Sequence, residues 1–103
     1  MEDSELVAMR ALLGAWSVLW PDDDVSMGDV VEAVRVTSVS QPLPAEVELS
    51  EAVRELAGTE KALNPRALGW AIRPYLNRPM GGLRLVRSTE TGKGGRYRIQ
   101  RGG

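Results

Sequence analysis

Arg66, Trp70, Arg73 and Asn77 recur at spacings of four, three and four residues. On a helix that spacing makes one continuous stripe. Arg66 and Arg73 on such a stripe stand about 10 Å apart at a rise of 1.5 Å per residue. Guanidinium groups at this separation suit phosphate oxygens or base edges. Trp70 offers a ring on which an unpaired base can stack, or else a surface that packs against neighbouring elements. Asn64 precedes Pro65, so it caps the helix and brings its free N–H groups and positive dipole end to the same region. Further along, Arg84, Lys93, Arg96 and Arg98 add four cations. Lys93 lies among glycines that let a backbone come close. The chemistry on offer is recognition of a polyanion.

Catalytic and metal chemistry find little footing. The chain has no His and no Cys, which excludes disulfides, zinc sites built on thiolate or imidazole, and nucleophiles paired with His. Asp22, Asp23 and Asp24 are consecutive, so their side chains diverge, and the expectation is a solvated turn rather than a Mg²⁺ site. Gly92-Lys93-Gly94-Gly95 is no P-loop: Arg87 stands where its first Gly belongs, Gly94 stands where Ser or Thr belongs, and a strand follows. No nucleophile–base pair or set of convergent acids is evident, so neither an enzyme nor a cofactor is expected.

The elements that must hold these residues follow from periodicity. With 103 residues and ordinary composition (43% apolar, 26% charged), one domain over 1–103 is expected. Leu6, Met9, Leu13, Trp16 and Trp20 step by three or four, giving a first helix over 4–20 capped by Asp3 or Ser4 and ended by Pro21. Its two Trp are expected in the core. Ser26 with Asp29 makes a capping box for a second helix over 26–36, with Val30, Val31, Val34 and Met27 as the apolar face. A linker over 37–43 can hold a short extended piece at Val36–Val39. Pro44 opens a third helix over 44–57, buried through Val47 or Leu49 with Ala52, Val53 and Leu56, and solvated through Glu48, Glu51 and Glu55. Gly58 suits its C-terminal stop.

The fourth helix is expected over 64–77, with Leu68, Ile72 and either Ala71 or Tyr75 and Leu76 inward. Pro74 should kink or end it, since it deletes the hydrogen bond to the Trp70 carbonyl. Met80-Gly81-Gly82 is a break. Two strands then form a hairpin over 83–101; in the second, Tyr97 and Ile99 alternate with Arg96, Arg98 and Gln100.

Charge divides this series in two. Residues 1–60 carry 13 acids and three bases; residues 61–103 carry ten bases and the single acid Glu90. The net charge of −1 averages over opposite halves. The basic half suggests a polyanion partner, and the competing explanation is neutralisation by the chain's own acidic helices. No apolar stretch is long enough to span a bilayer and the N-terminus is acidic, so no membrane partner is expected and the cytoplasm is the default location.

Three or four helices followed by a hairpin is the order of a winged helix, an α+β fold in which the last helix recognises DNA and the hairpin is the wing. The segments Glu51-Ala52-Val53-Arg54-Glu55-Leu56-Ala57-Gly58, Leu63-Asn64-Pro65-Arg66-Ala67-Leu68-Gly69, Gly81-Gly82-Leu83-Arg84-Leu85 and Gly95-Arg96-Tyr97-Arg98-Ile99 resemble the winged-helix domain at the C-terminal end of phage and mobile-element DNA primase/helicase proteins. The resemblance spans residues 44–101 and departs from the family pattern at Trp70 and Pro74. It implies an accessory module of a replication primase/helicase whose motor domain lies elsewhere, with duplex or forked DNA as partner. The nucleic-acid-binding residues expected are Asn64, Arg66, Trp70, Arg73, Asn77, Arg84, Lys93, Arg96 and Arg98. With four or five phosphates neutralised, log K should fall with log salt at a slope of about −4. The alternative is a winged helix that mediates protein–protein contact or oligomerisation in a replication complex, with the acidic helices as the contact surface.

Overall fold

The apolar stripe of the N-terminal segment folds as α1, Ser4–Leu19, which turns Met9, Leu12, Leu13 and Trp16 fully inward. Trp20 lies just past its end and donates its N–H to the Trp16 carbonyl at 2.8 Å. The Trp20 ring meets the Trp16 ring edge to face, with centroids 5.4 Å apart. Both indoles therefore belong to the core, as their spacing implies, with Trp20 only half-buried. The computed structural model describes residues 4–37, 43–57, 64–89 and 95–101.

After the turn at 21–24, Val25–Ser26 forms a short strand, β1, and runs directly into α2, Met27–Thr37. Ser26 and Asp29 close the capping box: the Asp29 N–H donates to Ser26 Oγ at 3.1 Å, and the Ser26 N–H donates to Asp29 Oδ2 at 3.3 Å. Val30, Val31 and Val34 are buried. The extended piece expected at Val36–Val39 does not start at Val36, which is helical; residues 38–42 lie outside the described residues. α3, Pro44–Ala57, starts on Leu43, whose N–H donates to Glu46 Oε1 at 2.9 Å. Leu49, not Val47, fills the core position, and Ala52 and Val53 follow it inward. Gly58 lies outside the described residues.

α4 is shorter than expected. It spans Pro65–Ile72, and Arg73–Tyr75 tighten into a 3₁₀ turn. The cause is Pro74, which has no N–H to continue the α-helical ladder. Leu68, Ile72 and Tyr75 are buried, which settles Tyr75 over Ala71 as the inward residue of the last turn. Tyr75 donates its hydroxyl to Glu5 Oε2 at 3.1 Å and so ties this end to α1.

The chain then doubles back. Asn77 takes a left-handed conformation (φ 67°) and donates its N–H to the Leu85 carbonyl at 2.9 Å. Gly81 and Gly82, both at positive φ, make a tight turn in which Met80 and Leu83 exchange hydrogen bonds of 2.7 and 3.0 Å. β2, Leu83–Thr89, and β3, Arg96–Arg101, form the expected hairpin. β1 was not anticipated. It pairs with β3, so the antiparallel sheet has the order β1-β3-β2. A bulge falls between Arg87 and Thr89.

The described residues thus form an α+β domain of four helices and a three-stranded antiparallel sheet. α1 packs along α3 most extensively, and Leu85, Tyr97 and Ile99 close the core from the sheet's inner face.

Candidate nucleic-acid interface

The Asn64 cap fixes where α4 begins: its Oδ1 accepts the Ala67 N–H at 2.8 Å, and Pro65 occupies the first turn. From that start, Leu68 and Ile72 must face the core, so Arg66 and Trp70 face away from it. The 3₁₀ turn keeps Arg73 on the same side. Its guanidinium lies over the Trp70 ring, 5.2 Å from the centroid, a cation–π contact that fixes the ring's orientation. Trp70 nevertheless stays 61% exposed, a large exposure for an indole.

The hairpin supplies the opposite wall. On β2 the side chains alternate, and Arg87 shares the inner face with Leu83 and Leu85, opposite Tyr97 on β3. The apolar part of this face ends there, at the bulge, so Arg87 emerges from under the sheet toward α4. It lies across Gly95, where an added Cβ would come within 2.8 Å of Arg87 Nη2 and 2.9 Å of Cζ. Gly95 is the residue that lets the guanidinium lie flat on the strand.

Between these walls is a cleft of about 630 Å³. Arg66, Arg73 and Arg87 line it together with Trp70, and Met27, Leu76 and Tyr97 contribute apolar surface. Among the described residues no carboxylate lines it. None of the three guanidiniums meets a carboxylate at ion-pair distance among the described residues. The first-turn residues of α2 and α4 border the cleft as well, and their positive dipole ends reinforce its sign. The arrangement brings three guanidiniums and an exposed aromatic ring together in one recess.

The other expected site residues are distributed differently. Arg84, Arg96 and Arg98 sit on the outer face of the hairpin, because strand alternation sends them opposite to Leu85, Tyr97 and Ile99. They do not share a surface with the cleft. Arg98 is held by Asp24 (Nε to Oδ1, 3.3 Å) and donates to the Asp22 carbonyl at 3.1 Å. Arg96 and Arg98 border a second recess of about 490 Å³ with Asp22, Asp23, Asp24 and Asp29, where acids outnumber bases. Arg84 Nη2 donates to Gln100 Oε1 at 2.7 Å, directly across the strands. The expected nucleic-acid-binding residues are therefore divided between a cleft and a partly neutralised outer face.

Asn77 is also corrected. The helix stops before reaching it, and its left-handed turn docks on β2 instead of extending the stripe. The Asn64 side chain spends its carbonyl oxygen on the cap. Lys93 lies outside the described residues. Arg87 was missed, although the signal was present: it has the same strand parity as Leu83 and Leu85.

Asp22, Asp23 and Asp24 are exposed, as expected for a solvated turn, and no group of acids among the described residues is placed to hold a metal ion. Among the described residues no helix is long and apolar enough to cross a membrane. No family model, curated protein or solved structure matches the chain.

Proposed function

We propose that this chain is a DNA-binding module with a winged-helix layout, gripping the sugar–phosphate backbone between α4 and the inner end of the β2–β3 hairpin. One observation carries the reading: Arg66 on α4, Arg73 on the 3₁₀ turn after it and Arg87 on β2 converge on one cleft that, among the described residues, no carboxylate lines. A concave, single-sign, low-dielectric surface focuses potential and raises the local concentration of an oppositely charged polymer. The element order (helices, a capped α4, a hairpin with β1 added) supports the winged-helix layout. The resemblance to the C-terminal domain of phage and mobile-element primase/helicase proteins supports a place as an accessory module beside a replication motor.

In this reading phosphate contacts dominate and sequence preference is modest. The test is binding to random-sequence duplex as salt is raised. Affinity should fall steeply, and Arg66→Ala with Arg73→Ala should weaken binding at every sequence while the melting curve stays in place. Absence of binding at low salt, or an affinity indifferent to salt, ends the proposal.

The outer surface of α1 favours a second reading, protein contact in a replication complex: Val7 (45%) and Val18 (67%) are exposed there, at helical spacing with half-buried Ala11. Val18→Asp separates the two, since it disturbs association with a protein and leaves the salt-dependent binding of duplex as it was.

A further inference from the structure

We infer that the cleft receives an unpaired base, stacked on Trp70, so that the module engages DNA where a single strand leaves a duplex. The inference rests on the phosphate-binding reading above and specifies what else the same cleft holds.

Trp70 carries the argument. It departs from the polar character of its stripe, it is 61% exposed, and it lines a recess with three arginines. The core packing of α4 is made by Leu68 and Ile72 from the other side, which leaves most of the indole to solvent. Arg73 covers one side of the ring and holds it in place. The rest of the ring is open, and a base face is the flat π-surface that matches it. Stacked bases in a duplex present only their edges, whereas an unpaired base can turn its face into a recess between a helix and a hairpin.

The surroundings fit one nucleotide. The volume of about 630 Å³ falls within the usual range for small-molecule sites, about 300–1,000 Å³. Met27, Leu76 and Tyr97 give the recess apolar surface for a base, and Arg66, Arg73 and Arg87 give cations for the phosphates on either side of it. Gly69 keeps the α4 wall low, with no side chain beyond Cα there, and Gly95 leaves room on the other wall for the Arg87 guanidinium. The indole and the guanidiniums are thus complementary to the two halves of a nucleotide. A purely duplex-binding surface has use for the guanidiniums alone.

The test compares three ligands on the full chain at low salt by fluorescence anisotropy: a blunt duplex, the same duplex with a short single-stranded arm, and that duplex with an abasic arm. The arm should raise affinity roughly tenfold over the blunt duplex, and the abasic arm should return it to the blunt value, because the charge is kept and the stacking partner is removed. Trp70→Ala should bring the ratio of armed to blunt affinity close to one, and Trp70→Phe should retain part of it. Trp16 and Trp20 belong to the core, so fluorescence quenching on adding the armed duplex should disappear in Trp70→Phe. An abasic arm as good as the intact one, or a ratio that survives Trp70→Ala, overturns the stacking inference and leaves the phosphate grip standing. Failure to bind any of the three ligands removes both.

Discussion

Arg87 and Arg98 are neighbours on paired strands and have opposite situations. Arg98 is opposite Val86 on the outer face and is anchored to the acidic turn through Asp24 and the Asp22 carbonyl. Arg87 is opposite Tyr97 on the inner face and reaches the cleft by crossing Gly95. Two predictions follow at this scale. Gly95→Ala needs no forbidden backbone, and the three atoms nearest the added methyl all belong to the Arg87 guanidinium, the far end of a flexible side chain. The variant should unfold within about 0.5 kcal/mol of the parent. Its guanidinium is displaced, so DNA binding should weaken as much as in Arg87→Ala, and combining the two should cost nothing more. Additive losses in that double-mutant cycle would show that Gly95 acts through something other than Arg87. For Arg98→Ala, the pair with Asp24 is roughly half-exposed on both sides, so its loss should cost at most about 1 kcal/mol in a urea melt. Duplex affinity should change less than in Arg66→Ala.

α4 shows what an element contributes beyond its residues. Eight residues make a helix too short to persist alone, so its cap and its packing decide whether Arg66, Trp70 and Arg73 are presented together. Asn64→Ala removes the acceptor for the Ala67 N–H and should cost about 1 kcal/mol. For a domain of this size that lowers the melting temperature by about 4–8 °C. Asn64→Asp keeps an acceptor and adds a negative charge beside the first turn. It should preserve the melting temperature and weaken DNA binding, a split that a helix serving only as scaffold would not show. These starts were legible in the sequence because caps are local: Ser26, Pro44 and Asn64 each mark their helix within a residue or so. The stop at Ile72 is legible in Pro74, whereas the four-three-four spacing alone runs on to Asn77. β1 was not legible. Two residues carry no periodicity, and their pairing with β3 across some seventy positions is a tertiary event. The hairpin's handedness was half legible. An apolar face of Tyr97 and Ile99 must turn to the helices, so a basic face of Arg96 and Arg98 must turn away from them. The same alternation separates the outer-face cations of the hairpin from α4 and leaves Arg87 as the strand residue on the α4 side.

At the scale of the whole molecule, the opposed charges of the two halves partly meet. The acidic turn at 22–24 lies against the outer face of β3, so ten late bases do not translate into ten free cations. Internal neutralisation describes the outer side of the sheet, and the proposed polyanion partner belongs to the cleft on its other side. Salt dependence measures the division. Three cations in the cleft correspond to a slope of log K on log salt of about −2.7, whereas adding Arg84, Arg96 and Arg98 would bring it to about −5.4. The expected result for the full chain on random duplex lies near −3, shallower than the −4 anticipated from the sequence. Arg66→Ala should lower the magnitude by about one, and Arg98→Ala should leave it in place. A slope steeper than −5 that loses a unit with Arg98→Ala would mean that DNA peels the outer-face cations from Asp24 and wraps the hairpin. The functional surface would then be the sheet and not the cleft.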